Sequence, residues 1–295
     1  MENRLSLAGE NVAFVLSKAE ARLKNAGISD SRRDARLMLS KAMGNSHPAL
    51  LDPTCFIPKK ANHVFENWVK RREKREPVSR IFGYREFWGL NFEINSHTLD
   101  PRPDSEALVF AAIESFKGKN PPKKILDIGT GSGCILCALL KEFPSAYGVG
   151  IDINPEALLL AQSNSILNGL GNRVNYLSSD IDMGLNAKFD IVISNPPYIS
   201  KASIETLDPE VSIYEPRVAI DGGDDGLMVI RKLVSRLNNL TEPQGMVFIE
   251  VGLGQADEVA QLLTNEGFHI DSFVKDLSGH KRVVRAFPGK EITKS

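Results

Sequence analysis

Apolar residues near the start of the chain recur three and four positions apart. Ala8, Val12, Val15, Ala19 and Leu23 share one face of a predicted helix that Gly27 stops. Ser29 or Asp30 is placed to cap a second helix, whose Ala35, Met38, Leu39 and Ala42 share a face until Gly44. After a loop holding Pro48, Pro53 and Pro58, the residues Ala61, Val64, Phe65, Trp68 and Val69 mark a third helix that ends before Pro77. The period then changes. Residues 81–99 are aromatic, punctuated by glycine and alternating, which predicts a β-hairpin. Beyond it, residues 124–128, 147–151, 174–177, 190–194 and 246–251 are short β-branched or apolar runs separated by helix-length segments, the pattern of a doubly wound parallel α/β sheet. Residues 268–274 and 282–287, joined by a short polar loop containing glycine, predict a closing antiparallel pair. The expected organisation is a helical domain at 1–78, a hairpin linker at 79–100 and an α/β domain at 101–295.

Composition narrows the classes. A chain of 295 residues that is 42% hydrophobic and 25% charged has material for two cores and is not disordered. No apolar stretch approaches the ~18 residues of a membrane span. The first residues show no leader: Glu2 and Glu10 are acidic, and the apolar run at 5–15 is broken by Ser6, Gly9, Glu10 and Asn11, so a cytoplasmic location is expected. Three cysteines cannot build a disulfide framework, and Cys134 and Cys137 fall on a helix as small packing residues, without the second pair that a zinc site needs. His47, His63, His97, His269 and His280 are scattered, so no metal is expected. The net charge of −1 hides an asymmetry: residues 1–80 carry 16 basic and 9 acidic side chains, a net +7 that leaves −8 for the remainder. Residues 70–75 hold five positive charges and one negative, which reads either as a solvated helix face or as a surface for an anionic partner.

The candidate chemistry lies at the carboxyl ends of the strands, where such sheets bind ligands. Asp127 leads into Gly129-Thr130-Gly131-Ser132-Gly133 and then a helix, a turn that brings bare backbone close to a ligand at a helix N-terminus. Asp152 closes the second strand, where a carboxylate accepts from ribose hydroxyls, and Asp180 follows the third, in position for an adenine amino group. These features alone fit NAD and S-adenosylmethionine equally, although the loop is G-x-G-x-G where the dinucleotide fingerprint has G-x-G-x-x-G. The fourth strand runs into Asn195-Pro196-Pro197-Tyr198. Two prolines supply no N–H and fix φ, so the segment is an acceptor-only edge beside an aromatic ring. That suits a planar amide or aryl amine, whose delocalised nitrogen is a poor nucleophile until Asn195 Oδ1 and the Pro196 carbonyl hold its N–H groups, with the Tyr198 ring against the flat group.

With these residues the chain resembles the class I S-adenosylmethionine-dependent methyltransferases that modify amide or amino nitrogens. From end to end it is similar to the HemK/PrmC family, the release factor glutamine methyltransferases. The resemblance runs through Phe87-Trp88-Gly89, the segment from Pro101 to Glu106, the segment from Ile125 to Cys134, Asn195 to Ile199, Glu215-Pro216, the segment from Gly222 to Leu227, and Asp276 to Gly279 with Arg282-Val283-Val284. It implies a Rossmann-like seven-stranded class I methyltransferase sheet with a small N-terminal helical domain and a linking β-hairpin. It implies methylation of the N5 amide nitrogen of the glutamine in the Gly-Gly-Gln motif of class-1 release factors, with S-adenosyl-L-homocysteine as the other product. By position, Gly129 to Gly133 would line the methionine end of the cofactor, Asp152 would take the ribose, and Asp180 with Ile181 would border the adenine. Asn195 to Tyr198 would hold the glutamine amide, and Pro101-Arg102-Pro103 would border both pockets. The family's helical module contacts the release factor, which makes docking a better account of the positive domain than nucleic-acid binding; a monomer is expected. Asp104-Ser105 stands where the family usually has Glu-Thr, and Ile181 where an aromatic often covers adenine. The competing readings are a ribosomal-protein glutamine methyltransferase, whose family usually lacks the Pro-Arg-Pro segment; an adenine-N6 DNA methyltransferase, poorly matched by the −8 charge of the domain holding the site; and a cofactor-binding module without activity, which leaves the Asn-Pro-Pro-Tyr segment unexplained.

Overall fold

Amphipathic spacing sets the first element. In the computed structural model, which describes residues 10–44, 52, 54–181, 185–276 and 278–289, α1 spans Val12–Asn25 and buries Val12, Val15, Ala19 and Leu23. Ala8, His47, Pro48, Pro53 and Leu277 lie outside the described residues. The side chain of Asn11 caps α1 by accepting from the Phe14 N–H at 2.8 Å. Asp30 occupies the N-cap of α2 (Ser31–Ala42) but its side chain makes no capping hydrogen bond, so neither Ser29 nor Asp30 acts as the expected cap. In α3 (Lys59–Glu73) Ala61, Phe65 and Val69 are buried, and a short α4 (Val78–Phe82) follows Pro77. By its contacts the chain divides into Met1–Phe82 and Gly83–Ser295, so of the segment set apart as a linker at 79–100, residues 79–82 fall in the first unit and 83–100 in the second.

The basic tail of α3 is neither a plain solvated face nor an open cationic surface. Arg72 is buried, with Nε donating to Asp34 Oδ2 of α2 at 2.8 Å, and Arg71 forms a two-pronged pair with Glu76 at 2.5 and 2.8 Å. The Arg75 guanidinium donates to the Gly27 carbonyl at 3.0 Å. From α1, Arg22 reaches Glu66 and Glu73 of α3 at 2.6 to 2.8 Å, and these partners raise its pKa. Charge read as outward by composition is thus spent within the unit, tying α3 to α1 and α2 around Leu23, Met38, Leu39 and Phe65. Exposed cations remain on α2 at Arg32, Arg33 and Arg36.

In the second unit the strands β1 (Tyr84–Phe87) and β2 (Leu90–Glu93) pair antiparallel. There follow α5 (Glu106–Phe116), β3 (Lys124–Ile128), α6 (Cys134–Glu142), β4 (Tyr147–Asp152), α7 (Pro155–Leu167), β5 (Val174–Ser178) and β6 (Phe189–Ser194). After two short helices, α8 (Lys201–Ile204) and α9 (Pro209–Ser212), come α10 (Met228–Val234), α11 (Leu237–Leu240), β7 (Thr241–Glu250), α12 (Ala256–Asn265), β8 (Phe268–Lys275) and β9 (Lys281–Pro288). The seven-stranded sheet has the order β5-β4-β3-β6-β7-β9-β8; β3 to β7 are parallel, and β9 is antiparallel to both β7 and β8. The strand expected to begin at Met246 starts at Thr241, because its polar first half pairs with β6 only through Thr241 before the register shifts. Alternation along the strands feeds two cores: Ile125 and Phe248 pack with Leu108 and Leu136 on one face, and Leu126 and Val247 pack with Leu233 and Val259 on the other.

Breaking the Arg72–Asp34 pair leaves a nearly buried carboxylate uncompensated. Arg72→Ala is expected to cost about 3 kcal/mol in denaturant unfolding, whereas Lys70→Ala, on the exposed side of the same helix, should stay within about 0.5 kcal/mol.

Candidate active site

The chain leaves β3 for β4 and β5 on one side and for β6 and β7 on the other, so the crevice opens at the ends of β3, β4 and β6. A cavity of about 210 Å³ occupies it. Gly129 and Gly131, at φ of 74° and 53°, both line the cavity, and a Cβ built on either would meet nothing within 4 Å. The loop therefore turns bare backbone toward open space, a cradle that side chains would fill. Gly129 and Thr130 N–H groups both donate to the Ile151 carbonyl, at 2.8 and 2.9 Å, locking the loop to β4. Ser132 lines the cavity, while Gly133 stands outside the lining at the N-cap of α6. Asn164 of α7 donates to the Ser132 and Glu93 carbonyls at 3.0 Å each and accepts from the Glu93 N–H at 2.8 Å, joining the hairpin to the loop.

Asp152 ends β4 on the cavity wall. Its Oδ2 accepts from the Gly131 N–H and its Oδ1 from the Asn154 N–H, each at 2.9 Å, so the carboxylate is oriented and each oxygen retains acceptor capacity. Burial raises its pKa, and the hydrogen bonds from Asn154 and Gly131 pull it back. Asp180 and Ile181 also line the cavity; Asp180 is already ion-paired with Lys232. Ile181 is buried at a φ of 71°, a conformation β-branched residues rarely hold unless their surroundings impose it. Asp127 is fully buried; its Oδ2 accepts from Thr130 Oγ1 at 2.7 Å and its Oδ1 has no hydrogen-bond partner.

Beside the loop, Ser194 Oγ donates to the Ile128 carbonyl at 2.7 Å, fastening the end of β6 to β3. Asn195, Pro196 and Pro197 line the cavity and, with Tyr198, a second one of about 160 Å³ walled by Leu99, Leu207, Val211 and Ile220. Asn195 Nδ2 donates to Ser105 Oγ at 3.0 Å, leaving its Oδ1 as the amide's acceptor. The Tyr198 hydroxyl points to Glu250 Oε1 at 3.4 Å. The Tyr198 carbonyl accepts from Gln255 Nε2 at 3.0 Å, and the Ile199 and Gly222 N–H groups donate to the Ile220 and Ile199 carbonyls at 3.0 and 2.8 Å. A Cβ on Gly226, at φ 79°, would come within 2.4 Å of the Tyr198 carbonyl oxygen. Pro101 lines the first cavity and Arg102 lines both, but Pro103 lines neither and begins the turn into α5. Arg102 Nη2 donates to Oε1 of the buried Glu215 at 2.6 Å.

Sequence reasoning missed Ser105, Glu215, Gln255 and Glu250 as contributors. Glu250 had the same signal that singled out Asp152, a carboxylate where a parallel strand ends. Cys134 and Cys137 are buried on α6, and burial pushes both thiols up to about 12, so they remain protonated packing groups. Among the described residues no group of three or more His, Cys, Asp or Glu side chains is placed to hold a metal ion.

Burial pushes the Asp127 carboxyl up from an ordinary 3.8 to about 7. The folded chain then holds a proton that the unfolded chain releases, so stability falls as pH rises between these values and the full penalty stands above 7. In thermal melts without ligand, Asp127→Asn should gain on the wild type by more at pH 8 than at pH 5; a gap independent of pH would contradict this.

Comparison with known proteins bears on both units. The PrmC N-terminal domain family matches residues 15–83, and the Methyltransferase small domain family matches residues 106–211. The release factor glutamine methyltransferase of Rhodospirillum rubrum is 43% identical over 274 residues, covering 92% of this chain and 83% of that protein. That of Caulobacter vibrioides is 41% identical over 268 residues, covering 90% and 92%. Among solved structures, a methyltransferase from Pyrococcus furiosus shares the fold with a TM-score of 0.52 at 18% identity, covering 68% of this chain and 90% of that one. Identity at this level across nearly the whole length shows the family, and the chain belongs to the release factor glutamine methyltransferases.

Proposed function

We propose that this protein transfers a methyl group from S-adenosyl-L-methionine to the N5 amide nitrogen of the glutamine in the Gly-Gly-Gln motif of class-1 peptide-chain release factors. The observation that carries this reading is the Asn195 amide, anchored by Nδ2 to Ser105 so that Oδ1 is its acceptor, where two cavities share Asn195, Pro196 and Pro197. The first cavity fits the donor. Gly129 to Ser132 supply the bare backbone cradle, Asp152 keeps acceptor capacity for two ribose hydroxyls, and Ile181 with Asp180 borders the adenine. The second, walled by aliphatic side chains, suits the methylene stem of a glutamine.

Bound there, the donor supplies an electrophilic methyl on a sulfonium, open to in-line displacement. Asn195 Oδ1 and the Pro196 carbonyl hold the two amide N–H groups, aim the nitrogen and stabilise the positive charge that grows on it as the new N–C bond forms. One amide proton then leaves, and the neutral N-methyl amide is the product. Tyr198 flanks the amide, and Arg102, held by Glu215, spans both cavities. The helical unit would receive the release factor, supported by Arg32, Arg33 and Arg36 exposed on α2. No helix among the described residues is long and apolar enough to cross a membrane; a monomer acting in the cytoplasm, with no nucleic acid as substrate, completes the reading.

The test is labelled methyl transfer to a purified, unmethylated class-1 release factor, beside a copy whose Gly-Gly-Gln glutamine is alanine. Label is expected on the first alone. Asn195→Ala should lower turnover by about 10²- to 10³-fold with little change in cofactor affinity. Label on neither factor while the cofactor still binds would redirect the search to ribosomal protein and DNA substrates.

A further inference from the structure

One carboxylate holds the segment that borders both cavities. The Glu215 side chain, which follows α9, is fully shielded from solvent; its Oε1 accepts from Arg102 Nη2 at 2.6 Å and its Oε2 from the Asp100 N–H at 3.2 Å. Prolines at 101 and 103 fix φ on either side of Arg102, and the Ser105 N–H donates to the Arg102 carbonyl at 3.0 Å. Arg102 is thus fixed in its backbone by its neighbours and at its guanidinium by a residue far along the chain. Its side chain is 35% exposed and lines both cavities.

Charge in the first cavity is unevenly placed. Among the described residues that line it, Asp152 and Asp180 are the acidic ones and Arg102 is the one arginine or lysine. S-adenosyl-L-methionine carries a single anionic group, the carboxylate of its methionine end, beside a sulfonium and an ammonium. Its sulfur joins that end to the ribose. A donor with its ribose at Asp152 and its methyl toward Asn195 therefore carries its carboxylate on the side of the sulfur away from Asp152, and Arg102 shares the wall between the cavities with Asn195, Pro196 and Pro197. A guanidinium has five N–H donors in a planar fork, so the contact with Glu215 leaves donors for a second carboxylate. An arginine without a counter-charge would repel the sulfonium. Glu215 supplies the opposite charge from the buried side, so the cation can receive the carboxylate without opposing the donor's positive groups.

We propose that Arg102 anchors the carboxylate of the donor's methionine end and that Glu215 is a positioning residue acting through Arg102. Glu215 lines neither cavity, so its effect on the donor passes through the guanidinium it holds. This rests on the reading of the first cavity as the donor site and is independent of which amide receives the methyl group.

The test is calorimetric titration of the full-length protein, without release factor, using S-adenosyl-L-methionine and its decarboxylated analogue, which keeps the nucleoside, the sulfonium and the amine. The wild type should bind the carboxylate-bearing ligand about 10- to 100-fold more tightly, as for hydrogen bonds to a charged group. In Arg102→Gln that ratio should fall below about threefold, while the Kd of the analogue stays within about twofold of the wild-type value. Glu215→Gln, which keeps the size of the side chain and removes its charge, should lower the ratio by at least about threefold. Added to Arg102→Gln it should change the ratio by less than about twofold, because both act on one guanidinium. A purely structural role would weaken both ligands alike and keep the wild-type ratio in either variant; that result, or a wild type that binds the two ligands equally, would overturn the proposal. If Glu215→Gln fails to fold, Glu215→Asp replaces it: one methylene shorter, it cannot span both contacts, and the same fall in ratio is expected. A wild type that binds no S-adenosyl-L-methionine would remove the donor reading and the proposal with it. Absence of methyl transfer to the release factor, with the ratios as expected, would count against the methyl acceptor alone.

Discussion

The parallel pairing of β3 with β6 is the constraint on which the site depends. Its register sets Ile128 opposite Ser194, so the glycine loop that follows one and the Asn-Pro-Pro-Tyr segment that follows the other leave the sheet side by side. Ser194 Oγ reinforces the junction by donating to the Ile128 carbonyl. In-line transfer needs donor and acceptor within near-attack distance, and a misplacement of about 1 Å can cost 10²-fold. A slip of one residue in this register would also reverse the faces of Ile191, Val192 and Ile193, moving side chains of one core into the other. Hydrophobic sorting along the strand and placement of the two binding segments are thus one constraint.

Around that junction the molecule holds several buried or partly buried carboxylates, and each is managed differently. Asp152 is oriented by two backbone N–H groups, and Glu215 is held between the Arg102 guanidinium and the Asp100 N–H. Asp127 has the Thr130 hydroxyl, and Glu250 the hydroxyl of Tyr198. The first two retain enough polar contact to serve as fixed acceptors or anchors. The latter two are driven toward neutrality by burial, a cost that a fold built only for stability would avoid.

Much of this was legible in the chain itself. The period changes separated helices, hairpin and sheet, and the apolar runs located all seven strands of the large sheet, the central parallel ones most sharply because a doubly covered strand must be apolar on both faces. The resemblance carried by the glycine loop, Asp152 and Asn-Pro-Pro-Tyr agrees with the relatives found. Three things were not legible. The polar start of β7 at Thr241 carries no hydrophobic signal. The inward turn of Arg72 and Arg75 depends on Asp34 and Gly27, far away in sequence. The Asn195 amide is held by the Ser105 hydroxyl, 90 residues before it, and nothing local to Asn195 announces that partner.

The prolines that make Asn-Pro-Pro-Tyr an acceptor edge also remove the N–H groups by which a segment normally ties itself down. Its rigidity has to come from other parts of the chain. Ile199 exchanges backbone hydrogen bonds with Ile220 and Gly222, and Lys201 N–H donates to the Gly223 carbonyl at 3.0 Å. Gln255 Nε2 then takes the Tyr198 carbonyl, with its Oε1 held by the Gly252 N–H at 2.9 Å. Gly226 lies so near that carbonyl that any side chain there would displace it. The segment from Gly222 to Leu227, which entered the sequence reading only as part of a resemblance, thereby acquires a physical task. An acceptor edge without donors of its own stays in place because a neighbouring loop and one glutamine supply them.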